Sequence, residues 1–344
     1  MSVMKISIVI PTRNRFSILE ETLLQLMREQ SNKSGLFEVI IVNDGDDIPD
    51  SVLNGYSGVH LLKNKGSGAG NARNTGAEYA KGDIFLFLDD DMLAPPGCIE
   101  KHLDLHLKYP RSLISGTWEY SPNLREESLL TSFGRYKVAN DYAPVQVRKE
   151  NLISEGIFYT DSLATFNLSI TRNDFRELGG FHTSFPYAGC EDQEFTMRAA
   201  KNGFRLIIDN SIVCLHNEKD RLSLNGWLSR QFTGVQGFVL LCELFPFRKE
   251  TALYKENTPL QRHDPNGLKL KKAIKYLLSF SLFLMILKSL TRFLEIIRVS
   301  DNIIFRFYNI LCGLYIFKGF RHAYYKEYSM RLAAPAAPQI KISG

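Results

Sequence analysis

Three carboxylates, Asp89, Asp90 and Asp91, stand side by side directly after the apolar run Ile84 to Leu88. In an extended chain residues two apart point the same way, so Asp89 and Asp91 share one side and Asp90 takes the other. Two hard oxygen ligands on one side suit a divalent cation, Mn²⁺ or Mg²⁺, which also takes phosphate oxygens. A solvated acidic loop accounts for the same three residues. A second cluster runs from Lys65 to Asn74, KGSGAGNARN. Its glycines let a backbone approach a phosphate, and the helix start beyond them offers free N–H groups. It is not a dinucleotide fingerprint, because Gly70 comes one position early and Asn71 stands where the third glycine belongs. A plain turn and helix cap fits it equally. The run Gly189 to Glu194, GCEDQE, places acids at a helix start. The macrodipole stabilises such acids, and one of them could equally serve as a general base at a cleft edge. His216 closes the apolar stretch Ile212 to Leu215, as a structural hydrogen-bonder or, beside a metal held by Asp91, as an imidazole ligand.

These residues need a frame, and the first hundred positions supply one. Ile6 to Ile10, Phe37 to Val42, Val59 to Leu62 and Asp83 to Leu88 read as strands, with helices over Phe16 to Glu29 and Gly68 to Lys81. Apolar strands alternating with helices predict a mostly parallel sheet covered on both faces. Ligands in such sheets sit beyond the carboxyl ends of the strands. Three strands here end in polar groups: Thr12-Arg13-Asn14, Asn43-Asp44 and Asp89-Asp90-Asp91. Further along, Ile99 to Lys108 and Glu191 to Asn202 read as helices. Leu113 to Trp118, Ala164 to Thr171, Arg205 to Ile208 and Ile212 to Leu215 read as strands.

Taken in order, VIPTRNR (Val9 to Arg15), VNDG (Val42 to Gly45), GNARNTG (Gly70 to Gly76), FLDDD (Phe87 to Asp91), GGF (Gly179 to Phe181) and Glu191-Asp192 resemble the inverting family 2 glycosyltransferases of GT-A fold. The resemblance spans roughly residues 4 to 220. It implies an α/β, Rossmann-like domain with Pro11, Thr12 and Arg13 lining a nucleotide pocket and Asp44 on the base. Lys65, Arg73, Asp89 and Asp90 would also contact the nucleotide sugar. Asp91, Asp89 and His216 would hold the divalent cation, and Asp192 would be the catalytic base with Glu191 beside it. Three consecutive aspartates leave the register of a DxD motif ambiguous. A nucleotidyltransferase on a similar sheet is one alternative, yet it needs a basic glycine-rich loop after the first strand, and Pro11 to Arg15 has no glycine. A non-catalytic nucleotide-sugar-binding scaffold is another.

The formal net charge of +5 is unevenly placed. Leu268 to Arg331 carries twelve Lys/Arg against three Asp/Glu, a surplus of nine, so the remainder of the chain has a deficit of four. Tyr276 to Leu287 and Phe307 to Phe317 are uncharged, edged by Lys and Arg, and each is shorter than the roughly 20 residues that span a bilayer. Such segments predict helices lying on an anionic leaflet, or a helical pair packed on protein. The expected organisation is a GT-A domain over 1–225, a helical membrane-associating region over 226–331 and a disordered tail over 332–344. Five scattered cysteines without a CxxC pair fit a reducing cytosol. No signal peptide is expected, and the enzyme would lie peripherally on the inner face of the membrane. Its partners would be a nucleotide-sugar donor, a glycan or lipid-linked acceptor and possible further copies of itself, with no nucleic acid.

Overall fold

The β-branched run after Lys5 forms β1 (Ile6–Thr12), whose alternate residues enter opposite layers, as period-two geometry requires. Ile6, Ile8 and Ile10 pack with Leu19, Leu23 and Ile99 on one side. Val9 packs with Ala72, Phe175 and Phe195 on the other. The computed structural model describes residues 4–32, 36–48, 56, 58–141, 151–185 and 187–333. The chain divides into two units, residues 1–223 and 224–344.

In the first unit β1 is followed by α1 (Phe16–Asn32), β2 (Phe37–Asn43), β3 (Val59–Lys63), α2 (Ala69–Tyr79), β4 (Ile84–Leu88) and the short β5 (Met92–Leu93). Next come α3 (Cys98–Lys108), β6 (Ser112–Tyr120), α4 (Pro122–Leu129), α5 (Ser132–Asp141), β7 (Leu152–Ser154) and β8 (Ile157–Tyr159). β9 (Asn167–Thr171), α6 (Arg172–Leu178), α7 (Glu191–Lys201) and β10 (Arg205–His216) complete it. Among the described residues the strands order as β3-β2-β1-β4-β9-β6-β10-β8-β7, with β5 also on β10. β1 to β4 are parallel, β6 and β10 are parallel, and β9 runs against both β4 and β6. The carboxyl ends of β1, β2 and β4 therefore open along one edge. Gly76 lets α2 settle onto β1, since a Cβ there would stand 2.4 Å from Val9 Cγ1.

Two strands expected over Arg205 to Ile208 and Ile212 to Leu215 are one. The polar Asp209-Asn210-Ser211 forms a bulge inside β10, where Asp209 Oδ1 accepts from the Ser211 amide at 2.7 Å and Gly156 O from the Asn210 amide at 2.8 Å. Pairing with β6 resumes at Val213. That bulge carries the chain on to His216.

The second unit is helical: α8 (Leu224–Gly234), α9 (Gln236–Leu244), α10 (Ala252–Asn257), α11 (Asn266–Leu278), α12 (Ser281–Ile296) and α13 (Asp301–Ala333). Ile304, Tyr308, Leu311, Leu314, Phe317 and Phe320 are buried along α13 at spacings of three and four, the stripe that packs a helix into a bundle. The two uncharged runs read as too short to span prove to be parts of longer helical stretches. Arg306 and Lys318 interrupt the apolar composition without breaking the helix. Over Asp301–Lys326, α13 is long and apolar enough to cross a membrane by length and composition. The pair α11 and α12, bent by 83°, passes the same test only jointly. The expected tail lies, from residue 334 on, outside the described residues.

Candidate active site

The polar ends of β1 and β4 meet through side chains. Thr12 Oγ1 donates to Asp90 Oδ2 at 2.7 Å, and Thr22 Oγ1 donates to the Asp90 carbonyl at 2.7 Å. Arg15, just before α1, reaches Asp90 Oδ1 at 2.5 Å and Asp91 Oδ2 at 2.9 Å through one terminal nitrogen. Its Nε and other terminal nitrogen grip Asp220 at 2.8 Å each. Asp91 Oδ2 also lies 3.3 Å from Arg221 and 3.3 Å from His216 Nε2. Burial pushes the Asp91 carboxyl up, but the His216 hydrogen bond and charge, with Arg15 and Arg221, outweigh it and hold the group below the ordinary carboxylate range. Burial of Asp90, opposed by Arg15 and reinforced by Asp91, pushes that carboxyl up to about 7. The alternation expected of an extended DxD segment does not form, because β4 ends at Leu88 and the chain turns: Asp90 and Asp91 share the Arg15 guanidinium, Asp90 also tied to β1 through Thr12 and Asp91 facing His216 and Arg221.

Asp89, the third aspartate, belongs to another group. Arg73 on α2 donates to Asp89 Oδ1 at 2.8 Å and to Glu191 Oε1 at 3.0 Å. Arg73 and Glu191 are buried while Asp89 is partly exposed. Phe181 lies under the guanidinium, 5.5 Å from ring centroid to Cζ. Glu191 Oε2 accepts from the Gly189 and Cys190 amides at 2.8 and 3.2 Å, which closes the loop entering α7. Asp192, half-buried at the start of α7, accepts from the Gln193 amide at 2.7 Å. Burial first, and then the Glu191 charge, push its carboxyl up to about 7, against the pull of Arg73.

The remaining expected contacts are placed as follows. Asp44 accepts from Asn64 Nδ2 at 2.6 Å and from the Gly68 amide at 3.0 Å, so it pins the glycine-rich turn to the end of β2. A carboxylate offers about four acceptor sites, which leaves room for a further donor. Pro11 sits in register with Val42, and Arg13 is exposed. Lys65 turns away onto Glu78 at 2.5 Å, with both side chains mostly exposed. Asp91, Asp89 and His216 do not converge as a ligand trio: Asp89 is committed to Arg73, while Asp91 and His216 face each other. Among the described residues no three His, Cys, Asp or Glu side chains form a group that could hold a metal alone. Asp91 and His216 are two donors, and the buried His216 Nδ1 has no hydrogen-bond partner among the described residues. That set fits a cation whose shell is completed by phosphate oxygens and water, as for Mg²⁺ bound through one or two side chains.

Sequence reasoning passed over Arg15, Asp220, Arg221 and Glu218. Glu218 Oε1 accepts from Tyr120 Oη at 3.3 Å and is paired with the buried Lys137, while its Oε2 lies 4.0 Å from His216. The available signal was position: Arg15 follows β1 as Asp89 follows β4, and Glu218 to Arg221 follow β10.

Residues 7–159 match the family model described as glycosyl transferase family 2. Validoxylamine A glucosyltransferase of Streptomyces hygroscopicus subsp. jinggangensis is 28% identical over 224 residues, which cover 59% of this chain and 53% of that one. The chain thus spans about half the length of that relative. An uncharacterised Bacillus subtilis glycosyltransferase, YfnE, is 31% identical over 262 residues, covering 62% of this chain and 65% of its own. In fold the chain is similar to the mannosyltransferase PcManGT of Pyrobaculum calidifontis, solved with GDP-Man and Mn²⁺. The TM-score is 0.55 at 17% identity, with 92% of this chain and 87% of that one covered. Over residues 7–159 the first unit, built as a GT-A-like sheet with polar motifs at its strand ends, is thus similar to glycosyltransferase family 2.

Proposed function

We propose that the protein transfers a sugar from a nucleoside-diphosphate sugar to an acceptor hydroxyl with inversion, in the assembly of a surface polysaccharide or glycolipid. The observation that carries this reading is Asp192: a half-buried carboxyl raised to about 7, beside a buried Arg73–Glu191 pair that fixes the start of α7. A base of that strength shares its proton readily near neutral pH, where an ordinary aspartate is too weak. Asp192 takes the acceptor proton as the hydroxyl attacks the anomeric carbon from the face opposite the departing diphosphate. One displacement inverts the configuration with no covalent enzyme intermediate.

At the other end of the site Asp91 and His216 would hold Mn²⁺ or Mg²⁺, which when bound would neutralise the diphosphate leaving group. Arg221, with its side chain about one-third exposed beside Asp91, would add a donor to the same phosphates. Asp44 would take the base through its spare acceptor sites, and Thr12 and Asp90 would hold the pocket floor. The exposed apolar residues of α11 and α12 support a peripheral site of action at the inner face of a membrane. The test is release of nucleoside diphosphate from UDP-, GDP- and dTDP-sugars with Mn²⁺. The expected result is turnover with one nucleotide class, abolished by chelation and by Asp91→Asn. Metal-independent turnover that survives Asp91→Asn would overturn the metal assignment.

A further inference from the structure

The second unit holds a cleft of about 280 Å³ between α12 and α13. Its polar lining comes from Ser281, Lys288 and Ser289 on α12 and from Tyr315 and Lys318 on α13. The α12 residues recur at helical spacing on one face, and Leu284, buried, forms part of the lining between them. Lys288 Nζ donates to Tyr315 Oη at 3.2 Å and lies 5.6 Å from that ring's centroid. Among the described residues neither Lys288 nor Lys318 has a carboxylate partner. This separates them from Lys271, Lys272 and Lys275, which pair with Glu256 or Asp264. Two ammonium groups, two serine hydroxyls and a tyrosine hydroxyl in one concavity form a cationic, donor-bearing set with no carboxylate in its lining, complementary to a phosphate group.

The rim of the cleft names the source of that phosphate. Met285 lines it and is 59% exposed. From there α12 continues with exposed Leu282, Ile286, Phe293 and Ile296. A soluble anion needs no apolar flank, whereas a lipid has both a phosphate and chains to cover one. Apolar side chains edged by lysine are the arrangement of an interfacial helix on an anionic leaflet.

We propose that the α12–α13 cleft is a binding site for the phosphate of an anionic membrane lipid, with Lys288 and Lys318 as its cationic ligands and the Met285 edge of α12 against the acyl region. The site rests on the membrane-facing reading above and goes further by fixing where and through which groups the contact is made. The same two lysines would orient α12 on the leaflet, so binding is local rather than a uniform attraction of the basic tail.

The test is sedimentation of the full chain with phosphatidylcholine vesicles lacking or containing phosphatidylglycerol. Wild type is compared with K288Q/K318Q and with R292Q/R306Q, a control pair of exposed arginines on the same helices that removes equal charge outside the cleft. Loss of the cleft pair should weaken binding to the anionic vesicles roughly tenfold more than loss of the control pair, because directed charge-assisted contacts exceed screened surface attraction. Equal losses would overturn the site while leaving membrane docking intact. Failure of wild type to sediment with either vesicle would overturn docking itself and the site with it. Calorimetric binding of inorganic phosphate without vesicles, abolished in K288Q/K318Q, would overturn the lipid as the source.

Discussion

Asp91 meets Arg15, Arg221 and His216, whereas Asp192 has Glu191 beside it in the chain and feels Arg73 only as a weaker influence. Both carboxyls are withdrawn from water, and withdrawal alone raises a carboxyl. At Asp91 the surrounding cations reverse that effect; at Asp192 a neighbouring carboxylate reinforces it. One group is kept anionic to hold positive charge, and the other is kept basic enough to take a proton. Two carboxyls pushed apart by their environments are what an acid–base assignment needs.

The largest expected effect comes from removing the basic member. Asp192→Asn should lower kcat by roughly 10²–10⁴-fold, the range for loss of a general base, while donor binding measured calorimetrically stays within about twofold. Wild-type kcat/KM should rise with pH up to about 7, the raised value of this carboxyl, and the variant should lose that limb. Stability should move the other way. The folded carboxyl keeps its proton to about 7, against an ordinary value of 3.8. Its contribution is therefore full below about pH 4 and is lost as pH rises towards 7. Asp91, shifted down, contributes above the ordinary carboxylate value and loses its contribution in acid. Urea melts at pH 5 and pH 8 should show Asp192→Asn gaining on wild type at the higher pH. An unchanged difference would remove the contrast between the two groups.

Next in size is Arg15, whose side chain is 9% exposed and touches Asp90, Asp91 and Asp220. Arg15→Met leaves these carboxylates crowded without their shared cation. Breaking a buried pair from one side costs on the order of 3 kcal/mol. Adding Asp90→Asn to that variant should recover part of the loss by removing one of the stranded charges. A loss below about 1 kcal/mol in the single variant would mean that Arg221 and His216 suffice, making Arg15 dispensable to the ionised state of Asp91.

How legible these features were depended on their range in sequence. The strands, the helix entered through Gly68 and the acids opening α7 are written locally, in periodicity and end residues. The pairing of Arg15 with Asp220 joins positions 205 apart, and that of Arg73 with Glu191 joins positions 118 apart. No spacing rule reaches across those distances; the sheet order alone brings them together. The same limit divided the three aspartates. Alternation placed Asp89 with Asp91 and set Asp90 apart, whereas Arg15 gathers Asp90 with Asp91 and Arg73 on α2 takes Asp89. Unbroken apolar runs likewise underestimated α13, because a helix tolerates Arg306 and Lys318 where a count of uncharged residues stops.

The smallest expected effect concerns Lys65, which the family resemblance places against the nucleotide sugar. Its ammonium instead meets Glu78 at 2.5 Å, with the side chains 70% and 61% exposed. An exposed pair of this kind contributes about 0–1 kcal/mol, and less as salt rises. Lys65→Ala should therefore leave thermal stability within about 2 °C of wild type and leave KM for the donor unchanged within about twofold. An increase in KM of tenfold or more would show that Lys65 leaves Glu78 for the diphosphate when donor binds. The cationic side of the comparison would then include a residue from the β3–α2 turn as well as those around Asp91. Unchanged KM would confine that side to Arg15 after β1, His216 at the end of β10 and Arg221 just beyond it.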